Sequence, residues 1–337
     1  MNDIMSSRYF NNICILNDNV IRKSSKQTNK MIAEYRWLES QETFNHPKVY
    51  SIGVDGDYAY YDMEYIHGAS LSYLYVNKLL SPGNFKAIFS FLKNVILKNH
   101  IIGVKKYKQG YRQLVKDMYS KKTISRLTHY GIDLDTEITI NDKKYPSLRE
   151  IIDECSIDVT NSDVCYIHGD LCFSNILLDN YAMNLDVLTD DILKTHLYVI
   201  DPRGIMSDNS ISSIGDWRYD IAKLAHSAIG YYDLIKSDRF KVDKISRNTY
   251  IYDNTFSKDD YVKEVADNFN EIFKDAKANI LEINVQLFLS MIPLHMDNQS
   301  QQDVMIVNAL RMYSEYYSEF YSEYLETIPQ DGWWNLK

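Results

Sequence analysis

Three polar side chains at the ends of short apolar runs could organise phosphate chemistry: Asp170, Asn175 and Asp201. The first two lie in His168-Gly169-Asp170-Leu171-Cys172-Phe173-Ser174-Asn175, after the run Val164 to His168. The third closes the run Leu197 to Ile200 and precedes Pro202-Arg203-Gly204. These runs, like Ile176 to Leu178, are short for helices and rich in β-branched residues, so they read as strands that each deliver an acid to a loop. A carboxylate so placed can accept a hydrogen bond from a hydroxyl and take its proton. An amide oxygen and a second carboxylate are the hard donors that Mg²⁺ prefers. Phosphoryl transfer asks little more of a protein than an oriented hydroxyl and metal ions that hold the nucleotide's charge. The bland alternative, two ordinary loop carboxylates, leaves a pair of strand-terminal acids around one Asn unexplained.

The pattern His-Gly-Asp, four residues, Asn, then a strand and Ile200-Asp201-Pro202, resembles the aminoglycoside phosphotransferase and choline kinase group of the protein-kinase-like superfamily. That resemblance implies an ATP- and Mg²⁺-dependent phosphotransferase with an alcohol acceptor. Asp170 would be its catalytic base, Asn175 and Asp201 its metal ligands, His168 a buried support of the loop, and Asp220 a brace for it. More narrowly, HGDLCFSNIL, IDPRG and GDWRYDIAKLAHSAIGYYD look like the kinase-type proteins of bacterial capsule and surface-polysaccharide biosynthesis. The acceptor would then be a sugar or a sugar-derived precursor. The interval between Asp170 and Asp201 is longer than in that group, stretched by Asn180 to His196, which is expected to be a surface insertion.

A nucleotide site must be built upstream. Apolar and polar residues alternate through Ile13, Ile15, Val20 and Ile21 around Asn17-Asp18-Asn19, the pattern of a β-hairpin. Met31, Ile32, Tyr35 and Leu38 recur at helical spacing within Lys26 to Ser40. Lys48 to Ile52 and Tyr58 to Ile66 then read as strands joined at Asp55-Gly56. Lys23, with Arg22 beside it, is the candidate cation for the phosphates; alternation turns one of the two inward, and the sequence leaves open which. Glu34 on the following helix could orient that cation through an ion pair, as the corresponding glutamate does in kinases, or be a solvated helix charge. Tyr61 to Gly68 resembles the family's hinge, so that backbone groups of Glu64 and Ile66 would meet a purine edge. Where the family carries a Gly-bearing phosphate loop this chain has Met5-Ser6-Ser7-Arg8, leaving Ser6 and Ser7 to cover the phosphates.

The expected fold is α+β, protein-kinase-like and two-lobed: residues 1–66 a small nucleotide-binding lobe ending in the hinge, residues 67–337 a larger, mainly helical catalytic and substrate-binding lobe. Candidate helices there are Leu71 to Leu80, Asn84 to Asn99, Lys108 to Tyr119, Ser147 to Cys155, Arg218 to Leu234, Lys258 to Phe273 and Gln301 to Tyr324, with a hairpin at Glu137 to Tyr145. Lys223, Ser227 and Tyr231 follow Asp220 at helical spacing with His226 alongside, and His295 and Asp297 fall in an expected interhelical loop. His226, Ser227, His295 and Asp297 are candidates for a polyol's hydroxyls, although a helix histidine is more often a core residue. Arg203 could pair with a phosphate or sugar-acid group, or hold the catalytic loop.

Bulk properties narrow the classes. The 337 residues are 45% hydrophobic, enough for a substantial core, and the net charge of −9 argues against nucleic acid as a partner. The four cysteines form no CxxC pair, which fits reduced thiols in the cytoplasm. No stretch approaches the roughly 18 consecutive apolar residues of a membrane span, and no apolar run with basic flanks opens the chain. Two rival functions remain: a choline, amino-alcohol or aminoglycoside kinase, for which an acidic cleft would suit a cationic substrate, and a nucleotide-binding pseudokinase or assembly partner.

Overall fold

A computed structural model describes residues 12–106, 111–206, 208 and 210–327. Ser6 and Ser7, part of the helix expected from Lys108, and the end of the chain lie outside them. The sheet that opens the fold holds β1 (Asn12–Asn17), β2 (Val20–Ser25), β3 (Val49–Asp55) and β4 (Tyr58–Glu64) in the antiparallel order β1-β2-β4-β3. One helix, α1 (Thr28–Ser40), connects β2 to β3 and buries Met31, Ala33, Glu34, Trp37 and Leu38. The pleat of β2 turns Ile21, Lys23 and Ser25 inward, opposite Met63, Tyr61 and Ala59 of β4. Arg22 therefore faces outward, where Asp62 holds its guanidinium in a bidentate pair at 2.7 and 2.9 Å and Tyr60 lies under it at 3.6 Å. This settles which of the two adjacent cations points inward.

After β4 the chain crosses through β5 (Gly68–Ser70) into a mainly helical body: α2 (Leu71–Val76), α3 (Pro82–Lys106), α4 (Tyr111–Lys116) and α5 (Ser120–His129), the hairpin β6 (Ile138–Ile140) and β7 (Lys143–Tyr145), and α6 (Leu148–Glu154). The loop-bearing strands come next as β8 (Val164–Tyr166) and β9 (Ile176–Asp179). Beyond them lie α7 (Asn180–Met183), α8 (Asp190–His196), β10 (Leu197–Val199), β11 (Ile214–Asp216), α9 (Trp217–Ala228) and α10 (Tyr232–Lys236). A second hairpin, β12 (Lys241–Ser246) and β13 (Thr249–Asp253), leads to α11 (Asp260–Ile272), α12 (Lys277–Met291) and α13 (Gln299–Thr327). β9 lies between β5 and β10, and β8 pairs with β11, so the two acid-bearing loops leave short antiparallel sheets beside the end of β4. The architecture is α+β: a small antiparallel sheet with one helix, followed by a mainly helical body.

Several boundaries differ from those the sequence predicts. The stretch from Asn180 to His196, expected to be a surface insertion, forms two helices with Ala182, Leu188 and Leu193 buried in the core. The helix expected over Arg218 to Leu234 breaks at Gly230, where a Cβ would meet the His226 carbonyl oxygen at 2.5 Å, and at Tyr231, whose φ is 58°. α5, α12 and the β12–β13 hairpin are absent from the elements expected on sequence.

Contact between α1 and the loop after β10 depends on Gly204. Its φ is +58°, and an added Cβ would lie 2.7 Å from the Ala33 Cβ and 3.0 Å from Ala33 backbone atoms. Gly131, in the Schellman turn that ends α5, has φ +68° with nothing within 4 Å of that position. Gly131→Ala is therefore expected to cost about 1 kcal/mol of backbone strain, and Gly204→Ala about 1–3 kcal/mol more through overpacking. Urea denaturation of the two variants checks the difference; equal losses would mean that α1 does not rest on this loop.

Candidate active site

Lys23 is 1% exposed, and its ammonium lies 2.6 Å from Glu34 Oε2 on α1 and 2.6 Å from Asp201 Oδ1. The Tyr61 hydroxyl donates to the same Glu34 oxygen at 3.0 Å. Burial disfavours a free ammonium here, but the two carboxylates hold Lys23 above its ordinary range. Burial pushes Glu34 up; it also pushes at Asp201, where the pull of Lys23 wins and holds the carboxyl below its usual value. Asp201 itself has φ 58°, a left-handed conformation that costs a non-glycine residue about 1 kcal/mol or more.

The loop after β8 is fixed by a buried carboxylate. Asp220, on the first turn of α9, accepts the backbone N–H of His168 at 2.8 Å and of Gly169 at 2.7 Å, and burial raises its carboxyl to about 6. His168 Nδ1 accepts the Asp170 N–H at 3.2 Å, so the proton sits on Nε2, which donates to the Ile200 carbonyl at 3.0 Å. The imidazole thus ties the loop after β8 to the strand leading into Asp201. Trp37 of α1 joins in, donating from Nε1 to the Ile167 carbonyl at 2.9 Å and meeting the His168 ring edge-on at 5.1 Å. Gly169 has φ +78°, a conformation strained for any other residue, and an added Cβ would press on the Arg203 side chain at 3.0 Å.

Asp170 emerges from this frame with both oxygens engaged: Lys223 Nζ lies 2.9 Å from Oδ1, and Asn175 Nδ2 donates to Oδ2 at 3.1 Å and to the Asp170 carbonyl at 2.8 Å. Asn175 is held in a short turn whose Phe173 packs on Tyr75, Phe85 and Phe89. The Ile200 N–H donates to the Asn175 carbonyl at 3.0 Å, which brings Asn175 beside the Asp201 loop. Sequence spacing groups Lys223 with candidate sugar ligands; the structure instead pairs it with Asp170.

The oxygen donors fit Mg²⁺. Asp201 is a third exposed, and its Oδ2 has no hydrogen bond among the described residues. Asn175 turns its amide nitrogen to Asp170 and leaves Oδ1 with a long contact of 3.4 Å from Ser174. One carboxylate, one amide, phosphate oxygens and water are a usual Mg²⁺ set. Lys30 of α1 lies 3.7 Å from the other Glu34 oxygen, so two ammonium groups face the carboxylates of Glu34 and Asp201. Among the described residues no three His, Cys, Asp or Glu side chains gather as a metal cage.

Ile66, Leu177 and Ile200, with Tyr198 alongside, make an apolar cluster separate from the main core at the junction of β4, β9 and β10. The backbone N–H and C=O of Ile66 make no hydrogen bond among the described residues, whereas the Glu64 N–H is taken by the Lys48 carbonyl at 2.8 Å. The sequence reading singles out neither Leu177 nor Ile200. The remaining substrate candidates do not converge here. His226 is fully buried between Tyr232 and Phe288, and Ser227 is buried with its hydroxyl accepting the Phe173 N–H. His295 is buried against Gln301 and Tyr232, and Asp297 is exposed on the far side of that turn. Burial removes the first three from a polyol's reach.

Burial drives His168 down to about 4, against the pull of Asp170. Its ordinary value is 6.5, so the unfolded chain binds the extra proton first and the stabilising effect of the neutral ring is lost as pH falls from 6.5 towards 4. The advantage of the native chain over His168→Gln in urea melts is expected to shrink by about 2 kcal/mol between pH 7 and pH 5. A difference independent of pH would mean that the ring is not held neutral.

No protein-family model matches the chain, and no curated protein matches it. Among solved structures, the crystal structure of an aminoglycoside-3'-phosphotransferase of type VIII aligns with 91% of this chain and 94% of its own, at 11% identity and a TM-score of 0.41. Nothing about activity carries over at that distance, and any functional reading rests on the side chains of the site itself.

Proposed function

We propose that the chain is an ATP- and Mg²⁺-dependent small-molecule kinase that phosphorylates a hydroxyl, of a sugar or a sugar-derived precursor such as those of surface polysaccharides. The observation that carries this is the placement of Asp170 and Asp201, each on its own loop, with Asn175 between them and Lys23 held on Asp201. Lys23 would meet the nucleotide phosphates from the small sheet, oriented by Glu34. Ile66, Leu177 and Ile200 would flank the purine. Bound Mg²⁺ at Asn175 Oδ1 and Asp201 Oδ2 would offset phosphate charge.

Asp170 would orient the acceptor hydroxyl and take its proton as the oxygen bonds to the γ-phosphorus and the bond to the β,γ-bridging oxygen breaks, releasing ADP. Lys223, 2.9 Å from Asp170, would keep that carboxylate ionised and aimed. His168, Asp220 and the backbone of Arg203, whose N–H donates to the His168 carbonyl at 2.9 Å, would hold the loop without touching substrate.

The test is Mg²⁺-dependent ADP release from ATP against monosaccharides, sugar acids, sugar phosphates, choline and aminoglycosides. Acceptor-stimulated turnover is expected, with Asp170→Asn lowering kcat about 10²–10⁴-fold. Lys223→Met is expected to lower kcat while leaving nucleotide affinity within about twofold, because its contact is to the base. Turnover unchanged in Asp170→Asn would contradict the assignment of the base; nucleotide binding with no turnover on any acceptor would favour the pseudokinase alternative.

A further inference from the structure

Beside Asp170 lies an accumulation of positive charge of which the proposed transfer reaction uses only Lys223. Arg203 stacks its guanidinium over the Tyr219 ring at 4.7 Å, and its Nη1 is buried with no hydrogen-bond partner among the described residues. Lys122 and Arg126 sit one turn apart on α5, both half-buried. Like charges at that spacing oppose helix formation, so packing must impose the arrangement. Arg126 donates to the Ser290 carbonyl at 3.2 Å, and neither it, Lys122 nor Arg203 forms an ion pair among the described residues. Lys223 completes the group from α9, paired with Asp170.

The side chains act on one another. Burial and then the neighbouring Arg203, Arg126 and Lys223 lower the Lys122 ammonium to about 8, while the Tyr219 hydroxyl, despite burial, is drawn down to about 8 by Lys122, Arg203 and Lys223. Two carboxylates face this group: Asp170, and Asp220, whose oxygens are occupied by the His168 and Gly169 N–H groups. Four cations against two carboxylates is a local positive excess in a chain whose net charge is −9. Cations withdrawn from water without partners are costly, and a bound anion removes the cost.

We propose that Lys122, Arg126, Arg203 and Lys223 form a subsite for an anionic group on the acceptor, a phosphate monoester or a carboxylate attached to the molecule whose hydroxyl faces Asp170. The proposal rests on the kinase reading for the role of Asp170, and it favours a sugar phosphate or sugar acid over the cationic amino alcohols and aminoglycosides. Guanidinium groups bind both kinds of oxyanion in bidentate fashion, and Tyr219 adds a hydroxyl donor.

The test is calorimetric titration of the full chain, first saturated with a Mg²⁺ complex of a non-hydrolysable ATP analogue, using glucose 6-phosphate, glucuronate, glucose, glucosamine and choline. At least one of the two anions is expected to bind about tenfold or more tightly than glucose, with glucosamine and choline no better than glucose. The two anionic arms separate phosphate from carboxylate recognition. Lys122→Ala with Arg126→Ala is expected to remove the preference, and Lys122→Arg with Arg126→Lys to retain it, with analogue affinity measured alongside to show that the variants fold.

Cationic or neutral probes binding as tightly as the anions, no binding by any probe, or a preference that survives the alanine pair would each overturn the proposal. Anion binding that vanishes once the analogue is bound would also overturn it, assigning these cations to the nucleotide's own phosphates. If the analogue itself fails to bind, the kinase reading falls while the anion titrations still report on the subsite.

Discussion

The Lys23 ammonium, buried and shared by carboxylates 11 and 178 residues away in the chain, is the interaction on which the site depends. A lone buried ammonium would be costly, and removing either partner from such a cluster typically costs about 3–5 kcal/mol. β2, α1 and the Asp201 loop are therefore held to one another: the small sheet cannot shift without disturbing Asp201. The packing of Gly204 on Ala33 and the hydrogen bond from Trp37 to Ile167 make the same junction sterically and through the backbone. In the kinase reading, binding a nucleotide would exchange part of this internal pairing for phosphate and metal.

Charge divides across Asp170. Towards the small sheet, Lys23 and Lys30 balance Glu34 and Asp201; towards α5 and α9, cations outnumber carboxylates. Asp170 sits where the two meet, with its loop braced by the Asp220 carboxylate and a neutral His168. Neither brace needs solvent access, and both are buried. The strained φ of Asp201 belongs to the same logic: a conformation unfavourable by itself persists because the ion pair, the His168 link and Gly204 fix its surroundings.

What is legible in the sequence is what is local. The strand-loop pattern around Asp170, Asn175 and Asp201 can be read because its elements adjoin in sequence, and the alternation through β1 to β4 reports a half-buried sheet directly. Lys23 cannot be told from Arg22, since which face of a strand is buried depends on what packs against it. Lys223 meets Asp170 across 53 positions of chain, so no local spacing reports the pair. α12 carries Ile280, Leu281, Ile283, Val285, Leu287, Phe288 and Leu289, all buried, and a helix covered on every side shows no amphipathic period. α5 is hidden for the opposite reason. Ser120 to His129 holds only two large apolar residues, Ile124 and Leu127, so its helical period is carried by the polar residues around them, and a search for apolar spacing passes over it and over the positive group beside the base.

The most direct test of the metal-holding role of Asp201 is nucleotide binding with and without Mg²⁺, measured by calorimetry on the native chain and on Asp201→Asn. Mg²⁺ is expected to tighten ATP binding to the native chain, and this gain to be largely lost in Asp201→Asn while the chain remains folded. ATP binding indifferent to Mg²⁺, or a metal effect of the same size in the variant, would show that Asp201 does not hold the metal and would remove the foundation of the site.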